Sequence, residues 1–186
     1  TGIYVFTLII AGIIVLTLFN ILLKQKNNIV ISFIATAIST LLMTSSWFFT
    51  ARGQIISYLG LLLEIYVLER LINTKKKRYY LELFLISILI VNFHASVWNM
   101  TIVLILPYLA EAIMYKIFKD KKIKDQKITF QPISIKVLIG AMISLFVGSI
   151  ISPLGIYTYT YMFKEMGGLP STFISELQQT DIISSI

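Results

Sequence analysis

Apolar runs long enough to cross a bilayer recur along this chain, each ended by a short polar stop, and this feature leaves it few possible folds. A helix needs about 20 apolar residues to span the hydrocarbon core. Inside that core the backbone must satisfy itself, which a helix does and an open strand does not. Six runs fit or approach the length: 2–23, 29–50, 55–72, 79–93, 97–115 and 135–151. The alternation of a membrane barrel is absent. The expected fold is therefore all-α, a polytopic transmembrane bundle of about six spans over 1–152. An outer interfacial or amphipathic segment follows over 153–186.

Charge agrees with this reading. Only 13% of the residues are charged and 57% are hydrophobic, whereas a soluble chain carries about 25% charged residues. The 16 Lys and Arg exceed the 9 Asp and Glu, and their placement sets an orientation. Fourteen of the 16 fall on one side of the alternating spans, in 24–28, 73–78 and 116–134 or at their edges (Arg70, Lys136). Only Arg52 and Lys164 fall on the other side. By the positive-inside rule the three basic loops are cytoplasmic. Thr1, the corner at Arg52, the corner at His94 and the C-terminal segment then lie outside the plasma membrane. No basic stripe is interleaved with base-stacking aromatics, so nucleic acid is excluded and the lipid bilayer is the expected partner. Cysteine is absent, which excludes disulfides and thiolate metal sites.

The run 2–23 is too long for a signal-peptide core and has no small-residue cleavage site after it. It reads as a true span, and a chain opening inside a span at Thr1 reads as a fragment of a longer membrane protein.

Polar residues able to do chemistry gather on the outer side. The fourth and fifth runs are each short of a full span, which expects the corner His94-Ala95-Ser96-Val97-Trp98-Asn99 to form a recess below the headgroups. Arg52 has two readings of equal weight. Its planar guanidinium clamps a lipid phosphate through two hydrogen bonds, or it snorkels to the interface and caps the turn. His94 has the right chemistry for an acid, a base or a phosphate donor, although a lone His at a helix corner is first a structural hydrogen-bonder. No second His, Asp or Glu stands at ligand spacing, so no metal site is expected. Glu64 lies within the third run, where a carboxylate is costly and raises a functional hypothesis by default; it is expected to be protonated, or hydrogen-bonded to a neighbouring helix. Pro107 is expected to kink the fifth run. In the tail, Ser152-Pro153 stops the last span. The alternating Tyr157, Tyr159 and Tyr161 suit a segment lying among the headgroups. Nucleotide loops, dinucleotide fingerprints and zinc-protease motifs are missing, so no cofactor is expected.

Three elements in order carry a resemblance. They are Ala51-Arg52-Gly53-Gln54-Ile55-Ile56-Ser57-Tyr58, then Asn92-Phe93-His94-Ala95-Ser96, then Ser152-Pro153-Leu154-Gly155 with Phe173-Ile174-Ser175-Glu176-Leu177-Gln178. Together they resemble the Arg-x-Gln-x-x-x-Tyr, Asn-x-His and Asn-Pro-x-Gly with Phe-Ile-Ser-Glu-Trp-Gln elements of bacterial GT-C-type membrane glycosyltransferases. Such enzymes take a sugar from a polyprenyl-phosphate carrier at the outer face. The resemblance implies that Arg52 and His94 contact the carrier phosphate and that Gln54 orients the group. It also implies that Glu176 and Gln178 contact the sugar or the acceptor. Two positions depart from the pattern: Ser152 stands where Asn is expected, and Leu177 where Trp is expected. The acidic catalytic residue of that family sits in a first outer loop, so the resemblance places it upstream of Thr1. The competing expectation is a non-enzymatic membrane protein, either a lipid-glycan transporter or an accessory subunit of envelope-polymer assembly.

Overall fold

The computed structural model describes residues 2–25, 28–45, 54–118 and 132–160. All regular secondary structure among them is helical, and the all-α expectation holds. The helices are α1 (Gly2–Lys24), α2 (Ile29–Ser45), α3 (Gln54–Thr74), α4 (Arg78–Phe93), α5 (Asn99–Phe118) and α6 (Ile135–Ile150), with 3-10 turns at Ala95–Trp98 and Gly155–Tyr157.

Consecutive helices run in opposite directions because the polar breaks between them force reversals. After α3 the chain turns at Lys75, whose φ of 55° is left-handed and whose N–H caps the Leu71 carbonyl at 2.8 Å. After α4 it turns at His94, which is extended (φ −160°, ψ 91°) and donates its N–H to the Ile90 carbonyl. The bundle thus has a basic end, holding Lys24, Arg70 and Arg78, and a corner end, holding Gln54, His94 and Ile151. Hydrogen bonds across helices tie each end together: Gln25 to Glu69 at the basic end, and Asn92 to the Ile151 carbonyl at the corner end.

α4 is the centre of the bundle and packs most extensively against α3 and α6; α1 lies on α3, and α2 on α1. Leu68 and Leu71 of α3, Leu83 of α4, Ile105 of α5, and Leu138, Ala141 and Leu145 of α6 form the shared core. Gly148 lets α6 press against the α4 backbone, since a Cβ there would lie 2.5 Å from the Phe84 carbonyl oxygen.

Beside the apolar core, several polar side chains are buried and many large apolar ones are exposed. Ser57, Glu64, Ser87, Thr101, Ser149 and Thr158 are all completely buried, while Leu8 is 72% exposed and Leu41 71%. On α2 the threonines turn their hydroxyls back onto their own helix, Thr36 to the Ser32 carbonyl and Thr40 to that of Thr36. Such local bonding hides a polar group on an apolar surface. Two helical segments, Gly2–Lys24 and Ala95–Phe118, are long and apolar enough to cross a membrane. Ile29–Thr44 and Ile135–Ile150 are apolar but shorter.

One sequence expectation is corrected. The fifth run is not short, because the 3-10 turn at Ala95–Trp98 leads directly into α5 and the two make a helical segment of 24 residues. Only α4, with 16 residues, keeps the expected brevity, so the corner is not a recess framed by two short helices. At the start of the tail Ile156 and Tyr157 are exposed while Thr158 is fully buried, and the Tyr159 ring packs on Trp98 and Phe146 at 5.3 and 5.4 Å. Glu64 has no hydrogen-bonding neighbour; both carboxylate oxygens are buried without a partner. The last residues of the second run (46–50) and residues 161–186 of the C-terminal segment lie outside the described residues.

Candidate functional site at the His94 corner

At the corner end the chain reverses twice, before α3 and after α4, and the two reversals meet through side chains. Gln54 opens α3, and its amide Nε2 bonds the His94 Nε2 at 2.5 Å. On the other edge of the imidazole, Ser96 Oγ lies 3.1 Å from Nδ1. As placed, the amide donates to Nε2, so the ring proton sits on Nδ1 and is donated to Ser96. Flipping the amide reverses both bonds and leaves the ring neutral with both nitrogens engaged. Partial burial pulls the imidazole pKa below its ordinary value, because removal from water penalises the charged form. His94 is thus a neutral hydrogen-bonding post between α3 and α4. To meet a phosphate, it must exchange Gln54 or Ser96 for that ligand.

Support for the corner comes from the next layer inward. Asn92, two residues before His94, donates to the carbonyls of Ile88 and Ile151, both at 2.8 Å, locking the end of α4 to the end of α6. Ser57, one turn into α3, reaches the Ile90 carbonyl at 3.4 Å. Trp98 is buried, with its indole N–H on Ser87 Oγ at 2.8 Å. Ser87 in turn donates to the Leu145 carbonyl at 2.6 Å. Ser152 Oγ lies 3.0 Å from Thr158 Oγ1 and accepts the Gly155 N–H at 3.1 Å, which folds the tail back on itself.

An apolar groove of about 290 Å³ opens between four helices. Ile14 of α1, Met43 of α2, Tyr58 and Leu61 of α3, and Met100 and Val103 of α5 line it. Tyr58 is one helical turn from Gln54, and Met100 is two residues from Trp98, so the groove begins where the polar corner ends. A second cavity, polar and about 580 Å³, lies at the basic end among Lys24, Gln25, Glu69, Asn73, Tyr108 and Glu111. Tyr108 is also within electrostatic reach of Glu64.

Of the site residues expected from sequence, the structure brings together Gln54 and His94. Arg52, Glu176 and Gln178 lie outside the described residues. The groove was not anticipated. Its residues are ordinary apolar ones, and the only sequence signal for it is that Tyr58 and Leu61 follow Gln54 at helical spacing. No protein family, curated protein or solved structure matches this chain.

Proposed function

We propose that the chain is a polytopic membrane protein that transfers a sugar from a polyprenyl-phosphate carrier at the outer face of the plasma membrane. The observation that carries this reading is the polar Gln54–His94–Ser96 corner together with an apolar groove whose first α3 residue, Tyr58, lies one helical turn from Gln54. A polar head joined to a long hydrocarbon chain needs those two environments end to end. Buried polar groups inside and apolar side chains outside support lipid as the solvent. The fourteen basic residues at the opposite side support the orientation.

In this reading the apolar groove takes the first part of the prenyl chain and the phosphate rests at the corner. Arg52, two residues before Gln54, supplies the fixed positive charge. The acceptor hydroxyl attacks the anomeric carbon, the bond from that carbon to the phosphate oxygen breaks, and polyprenyl phosphate leaves with the electron pair. Arg52 stabilises the charge that develops on the leaving phosphate, and His94, neutral, contributes a hydrogen bond only. Glu176 and Gln178 hold sugar or acceptor. The proton of the acceptor goes to a base that the resemblance assigns to no residue of this chain.

Replacing Arg52 with Ala is expected to lower transfer about 100- to 1,000-fold, the usual cost of losing one donor to a developing anion. The check is sugar transfer from a polyprenyl-phosphate donor in membranes, with membrane-embedded protein measured in parallel. Normal glycan output from correctly inserted variant would remove Arg52 from the mechanism.

One observation favours the non-enzymatic alternative, a lipid-glycan transporter or accessory subunit. Glu64 is fully buried and unpartnered halfway along α3, where a carboxyl group is retained only at a cost. If that reading holds, Glu64→Gln stops flipping of a fluorescent lipid-linked glycan in vesicles while the protein stays folded. Unchanged flipping, or sugar transfer by the wild type, rules it out.

A further inference from the structure

The basic end of the bundle holds an arrangement that the sugar-transfer reading does not use. Lys24, at the end of α1, and Arg70, near the end of α3, both donate to the same oxygen, the hydroxyl of Tyr66. The Lys24 Nζ and Arg70 Nη2 distances are each 2.8 Å. Both cations also lie over the Tyr66 ring, at 4.6 and 5.2 Å from its centroid. Next to them, Arg78 Nη2 donates to the hydroxyl of the buried Tyr79 at 2.9 Å and sits 4.8 Å over its ring. The two tyrosines share these cations, since Arg70 also interacts with Tyr79 and Arg78 with Tyr66.

Three like charges are thus held around two phenols, with Glu69 and Glu111 lining the same cavity as Lys24. Among the described residues no carboxylate pairs with Lys24 or Arg70. Glu69, beside Arg70 in sequence, accepts instead from Gln25 at 2.7 Å. Arg78 has only Glu82, at 3.9 Å, with both side chains well exposed. A phenol oxygen has two lone pairs, so Lys24 and Arg70 fill that of Tyr66 and leave its proton to donate elsewhere. Ammonium, guanidinium and phenol donors together match the oxygens of a phosphate, and arginine takes two of them at once. The position also suits the ligand, because cations at the cytoplasmic surface of a membrane meet anionic headgroups.

We propose that Lys24, Arg70 and Arg78, gathered on Tyr66 and Tyr79, form a binding site for a phosphate group, that of an anionic lipid of the inner leaflet. The lipid assignment rests on the membrane placement proposed above. The site is separate from the His94 corner, which lies at the opposite end of α3 and α4, and its ligand is held rather than consumed.

The test uses the full chain reconstituted in vesicles of phosphatidylcholine with or without phosphatidylglycerol, and reads retained lipid by native mass spectrometry after extraction. Wild type is expected to retain phosphatidylglycerol in preference to phosphatidylcholine. The pair Lys24→Gln with Arg70→Gln should lower that preference at least tenfold more than the charge-matched pair Lys76→Gln with Lys77→Gln. Each cation near an anionic surface is worth about fivefold in binding, and the clustered pair adds directed hydrogen bonds that the exposed lysines lack. Tyr66→Phe keeps every charge and the ring but removes the gathering hydroxyl; it should lower the preference several-fold with helix content unchanged by circular dichroism. Equal losses in the two double variants would show that lipid responds only to net charge, and would overturn the site. No preference in the wild type would overturn it as well. Displacement of the lipid by inorganic phosphate at millimolar concentration would assign the cluster to a free phosphate instead and end the lipid claim. Failure of the membrane placement shows separately, as release of the chain from vesicles by alkaline carbonate.

Discussion

Trp98→Ala is expected to destabilise the bundle by about 3–5 kcal/mol, the range for truncating a fully buried large aromatic residue. The indole is 2% exposed, the largest buried side chain among the described residues. It meets Phe146 edge-on at 5.3 Å and Tyr159 at 5.3 Å, so one residue holds α6 and the start of the tail against the turn into α5. Its N–H also occupies Ser87 Oγ, which bonds the Leu145 carbonyl. Truncation empties the aromatic cluster, and the serine loses its donor in a place where water does not replace it. Thermal or denaturant unfolding in detergent micelles is the measurement, with helix content as the signal. Trp98→Phe refills part of the space but not the hydrogen bond and should fall between alanine and wild type. A wild-type midpoint for Trp98→Ala would mean that the turn after His94 is held by other contacts.

Gly148→Ala is the second substitution with a large expected effect, about 1–3 kcal/mol of destabilisation from overpacking. The added Cβ would sit 2.5 Å from the Phe84 carbonyl oxygen and 2.9 Å from Ser87 Cβ. The first of these is backbone in the middle of α4, which cannot rotate away, so α6 must separate from α4 along the most extensive contact in the bundle. Gly60 makes the useful contrast: its new Cβ would approach Ile90 Cγ1 at 2.6 Å, a side-chain atom rather than backbone. Gly12, with nothing within 4 Å, gives the baseline, where alanine should be neutral or slightly stabilising through helix propensity. The expected order of unfolding midpoints is Gly12→Ala highest, then Gly60→Ala, then Gly148→Ala. Equal midpoints for Gly12→Ala and Gly148→Ala would contradict the close α4–α6 approach.

Both substitutions concern positions that one-dimensional pattern does not single out. Gly148 lies in an apolar run where any small residue reads the same, and its importance comes from Phe84, 64 positions earlier in the chain. The candidate site divides the same way. His94 and Gln54 stand out in sequence as polar residues at helix ends, but their bond to each other spans 40 residues and needs α3 and α4 packed side by side. Sequence offered His94 first as a structural hydrogen-bonder and then as an acid, base or phosphate donor; the packed helices engage both of its ring nitrogens. Ser87 and Thr101 look like incidental hydroxyls in apolar helices. Ser87 turns out to join three segments, while Thr101 is fully buried with no partner.

The linear sequence by itself determined that the described residues form helices. A long apolar run has one way to satisfy its own backbone, and Lys, Asn, Gly and Pro at the breaks act locally. The alternation of direction follows from those breaks, and the one-sided placement of basic residues is likewise read directly from the chain. Only the tertiary structure decided which helix is central, that the fifth helical segment is full length, and that Thr158 at the start of the tail is buried. It also decided that Glu64 is enclosed without a partner and that an apolar groove opens between four helices. Each of these depends on which faces of nearly uniform apolar helices meet. When every face is apolar, periodicity carries almost no information about facing. Small residues such as Gly148 and polar contacts such as Asn92 to Ile151 then choose the arrangement, through distances that exist only once the helices are packed.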